Sequence, residues 1–223
     1  MVLFAILALT AVQSARLGTS RFLAQMAQSE FDRWSSANAP VDLREVSRVE
    51  KYLWNSLRYG SDNPWALGQF AALDLARMRA SADPRAAVAA AQDARTRLRH
   101  ALRERPTSPF LWANLALAKL YLDEVDDEFF NAFRHADEFG PWEPAIQQMT
   151  VFAGLAVWGQ LNPELRQVLA RTIERGALHN AGKVVEIVKK FRRFDLICAV
   201  NPYNQIVRQD CERLAATARA GKL

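Results

Sequence analysis

Glycine and proline are scarce in this chain of 223 residues, nine of each, and only two cysteines occur. With half of its residues apolar and a quarter charged, such a chain is neither a disordered nor a collagen-like polymer, and it should fold around a packed core. The Val/Ile/Thr/Tyr alternation that marks strands hardly appears outside Val184 to Val188. That near-absence argues against a sheet-based fold and leaves helix, which the abundant Ala, Leu, Arg, Gln and Glu favour. The length is that of one sizeable core or one quasi-continuous repeat core.

Catalytic signatures are missing as well. His100, His135 and His179 are isolated from one another and from any Cys or His at ligand spacing, so no metal site is expected. No GxSxG, P-loop or GxGxxG occurs, and nothing near Ser81 or Ser108 supplies the base an activated serine needs. Glu128 and Glu143 could meet across a groove for glycoside acid/base work, but their spacing alone does not establish such a pair. The expectation is a protein that holds partners, with no catalytic residue and no cofactor.

The formal net charge of +5 amounts to about one excess positive charge per 45 residues, too dilute to indicate a nucleic-acid partner. The densest basic run is Lys183 to Arg193, where Lys189, Lys190, Arg192 and Arg193 dominate an otherwise amphipathic helix. This face is read as solvated, with a membrane headgroup or an acidic partner as its functional alternatives. Cys198 and Cys211 show no metal-ligand pattern. In an oxidising compartment they can close a loop around Asn201, Pro202 and Tyr203, worth about 3 kcal/mol in the chain-entropy model.

At the start, Val2 to Val12 form an apolar run of about a dozen residues before Gln13, Ser14 and Arg16. A run of that length is short of the roughly 20 residues that span a bilayer. It reads as the hydrophobic region of a signal peptide or the remnant of a signal-anchor over residues 1–23, without the usual preceding basic residues. Two alternatives are a helix over Ala5 to Leu23 lying on the membrane surface and a helix buried in the protein's own core. Arg16 and Arg21 would draw the following body toward the cytoplasm by the positive-inside tendency.

Pro-containing breaks divide the remainder, residues 24–223, into helical stretches. Asn63 before Pro64, Asp83 before Pro84, Ser108 before Pro109 and Asn162 before Pro163 each place an N-cap ahead of proline at the first helical position. Helices are predicted over 17–36, 41–59, 64–80, 84–104, 109–122, 125–138, 144–159, 163–176, 180–195 and 203–219. The acidic turn Asp123 to Asp127 joins one helical hairpin and reads as capping charge, since its spacing fits no calcium loop. Trp112, Leu115 and Ala116 match the tetratricopeptide W-x2-L-G pattern with Ala for Gly. Ala132 and Ala136 supply small positions, Pro144 closes the unit, and Lys119 stands where a Tyr belongs. Pro64 to Ala71 echo Pro109 to Ala116. The fold expected is all-α, a tetratricopeptide-like helical-hairpin solenoid with an N-terminal apolar helix.

The large aromatics Trp54, Trp65, Trp112, Trp142 and Trp158 fall near helix starts or breaks. They are read first as packing between hairpins, and otherwise as a groove in which Trp112 or Trp142 stacks on an apolar peptide or sugar face. Asn114 and Gln147 would then supply hydrogen bonds.

The central stretch carries a further likeness. Arg105-Pro106-Thr107-Ser108-Pro109 with Trp112 to Ala116, Asp127-Glu128-Phe129, Gly140-Pro141-Trp142-Glu143-Pro144 and Gly154-Leu155-Ala156-Val157-Trp158 together resemble the VpsP-type polysaccharide biosynthesis family, over about residues 15 to 200. The resemblance implies a small, membrane-anchored, tetratricopeptide-like accessory or scaffold protein of bacterial exopolysaccharide assembly. It carries over no catalytic site. On that reading the body faces the periplasm at the inner membrane, and its partners are membrane proteins of polysaccharide assembly, with the polysaccharide itself a further ligand. The candidate partner- or glycan-binding residues are Trp112, Asn114, Trp142, Glu143 and Gln147.

Overall fold

The structure, a computed structural model, describes residues 1–37, 43–179 and 181–198 and, beyond them, 205, 208, 209, 211–213 and 216. No strand occurs among the described residues. Two compact units divide the chain, Met1–Pro106 and Thr107–Leu223. The first holds α1 (Val2–Ala37), α2 (Leu43–Tyr59), α3 (Pro64–Ala80) and α4 (Pro84–Glu104). The second holds α5 (Pro109–Tyr121), α6 (Asp127–Phe139), α7 (Pro144–Ala156), α8 (Pro163–His179), α9 (Ala181–Lys190) and α10 (Phe194–Cys198), with a 3-10 turn at Trp158–Gln160.

Helices begin where the sequence places proline behind a capping side chain. Asn63 Oδ1 accepts from the Trp65 and Ala66 N–H groups at 3.1 and 3.4 Å, Asp83 from Arg85 at 3.0 Å and Asn162 from Leu165 at 2.9 Å. Such caps are each worth about 1 kcal/mol. Ser108 occupies the same position but makes no side-chain cap bond. The helix expected from 125 starts at Asp127, because Asp123 takes a left-handed conformation (φ 58°) and Glu124 N–H closes back on the Lys119 carbonyl. The helix expected over 144–159 ends at Ala156 and tightens into the 3-10 turn, and that expected over 180–195 ends at Lys190, just before Arg192 at φ 54°. The last expected helix, 203–219, lies mostly outside the described residues.

The largest departure is α1. It runs unbroken for 36 residues, about 54 Å, where a helix from 17 was expected. Residues 2–19 are all exposed, and Ser20 is the first buried position. The segment Val2–Phe31 is long and apolar enough to cross a membrane, which corrects the estimate of a run too short to span, and the exposure overturns a helix buried in the protein's own core. The polar interruptions do not break it, because the Thr10 and Thr19 hydroxyls donate to the Leu7 and Ala15 carbonyls at 2.9 and 2.8 Å, satisfying themselves within the helix.

Above Ser20 the first unit packs closely. Ala24 and Ala27 of α1 lie against Val49 and Leu53 of α2 and Ala66, Phe70 and Leu73 of α3. Small residues on α1 let the backbones approach, and each fully buried Leu or Phe contributes about 2 kcal/mol. The helices pair in sequence order, α1 with α2 and α3 with α4. Within the second unit α5 pairs with α6 and α7 with α8, and α9 rests on α7 and α8. Its core is built from Leu115, Phe129, Phe133, Leu165, Leu169, Ile173, Val184 and Val188. Gly154 sits where α7 meets α6 and α8. A Cβ there would stand 2.9 Å from Phe133 and 3.0 Å from Leu169, so only glycine allows this approach.

Candidate interaction surfaces

The acidic turn does more than cap. Asp126 caps α6 through the Phe129 N–H at 3.1 Å, as its spacing suggested. Together with Glu124 and Glu128 it also surrounds the ammonium of Lys119, whose side chain is 1% exposed, with Nζ–O distances of 3.0, 3.2 and 2.7 Å respectively. Burial alone would lower the Lys119 pKa, but the hydrogen bonds to Glu128, Asp126 and Glu124 outweigh it and raise the pKa above the ordinary lysine value. Asp126 is pushed up by desolvation yet ends below the ordinary carboxylate value, because Lys119 and the Phe129 N–H both donate to it. Lys119, placed by the sequence where the tetratricopeptide pattern has Tyr, is the residue around which the acidic turn closes.

Among the described residues of the second unit Trp142 is the most exposed aromatic, at 63%. The turn that displays it is fixed from behind. Gln147 is buried, and its Nε2 donates to the Pro141 carbonyl at 2.9 Å, where Arg175 Nε also donates at 3.2 Å. The same guanidinium pairs with Asp137, which the Thr172 hydroxyl approaches at 2.5 Å. Arg175 lies 5.9 Å from the Trp142 ring centre and the His179 ring meets it edge-on at 5.6 Å. Trp142 and Gln147, both singled out from sequence, thus share one turn, with Glu143 exposed beside them. Gln147 serves as its strut. Arg175 and His179 come from α8, 33 and 37 positions beyond Trp142, and Asp137 comes from α6, so no motif in the sequence joins them to the turn.

Trp112 is half-buried beside the Ala113, Ala136 and Ile146 cluster and tilts onto His135 at 4.9 Å. Asn114 donates its amide back to the Phe110 carbonyl at 2.9 Å, so that amide serves its own helix. The basic stretch is not one uniform face. Lys189 and Lys190 project from the end of α9, the latter 5.5 Å from the Phe152 ring centre, while Arg193 forks onto Asp195 at 2.9 and 2.7 Å and stacks 4.0 Å over Trp158. That pairing lowers the Asp195 pKa. Arg192 is exposed. Cys198 and Cys211 are joined in a disulfide with Cα atoms 5.7 Å apart. Among the described residues no group of three or more His, Cys, Asp or Glu side chains could hold a metal ion.

In the first unit the charged and aromatic groups interlock across three helices. Asp74 of α3 accepts from Arg97 Nε of α4 at 2.8 Å, and Arg77 reaches Glu50 of α2 at 2.5 Å. The Arg97 guanidinium lies 4.3 Å over the Phe70 ring and 5.8 Å from Trp54, which meets Phe70 edge-on. Desolvation raises the Asp74 pKa even against the Arg97 hydrogen bond. Trp65 is exposed under a stacked Arg105 guanidinium at 4.2 Å. A cavity of about 320 Å³ lies between α1 and α3, lined by Arg21, Ala24, Gln25, Gln28, Trp65 and Gln69.

No family model matches the chain, nor does any curated protein or solved structure. The fold and the surfaces above therefore carry the functional reading.

Proposed function

We propose that this protein is a non-catalytic scaffold of bacterial exopolysaccharide assembly, held at the inner membrane by α1, with its helical hairpins arranged in the tetratricopeptide manner. The observation that carries this reading is the 140–144 turn: an exposed indole, Trp142, presented on a backbone pinned by Gln147 and Arg175. Rigid, exposed aromatics beside arginine are the groups that dominate protein–protein binding energy. The sequential pairing of α3 with α4, α5 with α6 and α7 with α8, together with the residues around Trp112 and Gly140 to Pro144, supports the repeat and the pathway. The Cys198–Cys211 bond supports placing the body on the oxidising, periplasmic side.

Affinity purification of the full-length protein from its native membrane in mild detergent tests the proposal. A polysaccharide-assembly membrane protein should co-purify in stoichiometric amount, and W142A should reduce its retention at least about tenfold. Recovery of neither protein nor glycan would remove the pathway assignment. The exposed face of Trp142 also suits stacking on a sugar ring, so glycan recovered alone, and lost in W142A, would transfer the role to direct polysaccharide binding.

A further inference from the structure

We infer that the end of the first unit where α1 leaves the body is a binding site for anionic phospholipid headgroups, seated on the bilayer through the α2–α3 turn. The inference rests on the reading of α1 as a membrane span.

Three observations meet at one level of the fold. First, α1 changes character there: every residue from 2 to 19 is exposed, and Ser20 is buried. A buried polar knot marks the change. Ser56 Oγ donates to the Ser20 carbonyl at 2.7 Å, and Asn63 Nδ2 donates to Ser20 Oγ at 2.9 Å while its Oδ1 caps α3. Gly60 closes the contact, since a Cβ there would stand 2.9 Å from Ser20 Oγ. The α2–α3 turn is therefore clamped to α1 at the point where the apolar segment ends.

Second, the groups displayed at that level are those that partition to a bilayer surface. Leu17, Phe22, Tyr59 and Trp65 are large, apolar-bodied and exposed. Tyr and Trp settle at headgroup depth because one end of each ring is apolar and the other hydrogen-bonds.

Third, the charge there is unpaired. Arg16, Arg21 and Arg58 are exposed and make no ion pair or hydrogen bond with another described residue. Arg16 and Arg21 also line, with Tyr59 to Trp65, a cavity of about 500 Å³ at this level. A planar guanidinium matches a phosphate bidentately. The one carboxylate lining that cavity, Asp62, is already engaged by His100 at 2.9 Å and Ser61 at 3.2 Å. Apolar segment, interfacial aromatics and free guanidiniums thus meet at one level, where acyl chain gives way to glycerol and phosphate in a bilayer.

Two measurements on the full-length protein test this. Single cysteines at Ser61 and Ser81 carry a fluorophore in vesicles bearing a quencher on the lipid headgroup. Position 61 should be quenched and position 81, at the other end of α3 and about 26 Å away by helical rise, should not. In detergent, native mass spectrometry should show dioctanoyl phosphatidylglycerol retained about tenfold over dioctanoyl phosphatidylcholine. R16Q/R21Q/R58Q should abolish that preference, and the triple lysine variant should retain most of it. Excess inorganic phosphate should not displace the lipid, and displacement would identify a free-phosphate site instead. Equal quenching at 61 and 81, or no lipid preference in the wild type, would overturn the proposal while the protein stays in the membrane fraction. Loss of the protein from that fraction would instead remove the span itself.

Discussion

Both units bury an ion, and they stabilise it in opposite ways. In the first, Asp74 is enclosed between α3 and α4 with one close partner, Arg97, and a more distant Arg77 at 3.8 Å. Burial wins, and its pKa rises. In the second, Lys119 is more completely enclosed yet meets three carboxylates, and its partners win. The cost of removing a charge from water is similar in kind at both places, so the number and reach of counter-charges decide the outcome. Three carboxylates reach Lys119 because the acidic turn wraps around the ammonium and leads straight into the first turn of α6, which carries Glu128, whereas α4 brings one guanidinium close to Asp74.

Breaking the better-satisfied site should cost most. K119A leaves three carboxylates facing each other over a cavity. Since those carboxylates reach water, the loss should be about 3 kcal/mol, at the low end for a broken buried pair, measured by denaturant unfolding. G154A should follow at about 2 kcal/mol, because the added methyl meets Phe133 and Leu169 within 3.0 Å, and hydrogen exchange should localise the loosening to α6, α7 and α8. D74N removes a charge that burial already penalises and should change stability by less than about 1 kcal/mol. A loss as large as that of K119A would show that the Arg97 pair stabilises its unit as much as the Lys119 site does.

The smallest expected effect is one of pH, and it has opposite signs in the two units. Asp126 has a folded pKa below its ordinary 3.8, so its contribution is present above 3.8 and lost as the pH falls through the lowered value. Asp74 has a folded pKa above 3.8, so acidification through that raised value relieves a cost. Exchange protection of the α5–α6 hairpin should therefore fall relative to that of α3–α4 as the solution is acidified. Lys119 should sharpen the contrast at high pH, its contribution holding up to 10.5 and fading as the pH rises through the raised folded value.

The starts of α3, α4 and α8 could be read in advance because Asn63, Asp83 and Asn162 are followed by proline, a signal confined to neighbouring residues. The Lys119 site could not be read this way. Its partners lie five, seven and nine positions on, across a left-handed residue at Asp123, and only the closed turn brings them together. For the same reason Gln147 was legible as a polar group on the Trp142 turn but not as its strut, since Arg175 and Asp137 arrive from α8 and α6. The reach of α1 was misjudged because Gln13, Ser14 and Arg16 lower local hydropathy without ending a helix.

That α1 is one helix has a mechanical consequence. No proline or loop separates its exposed lower part from Ala24 and Ala27, so the segment acts as a shaft and not as a tether. With the lower part seated in a bilayer, a tilt of about 10° would swing the far end of the upper half by about 5 Å. It would carry α2 and α3 along, because Ser20, Ser56 and Asn63 bind them to the shaft at its fulcrum.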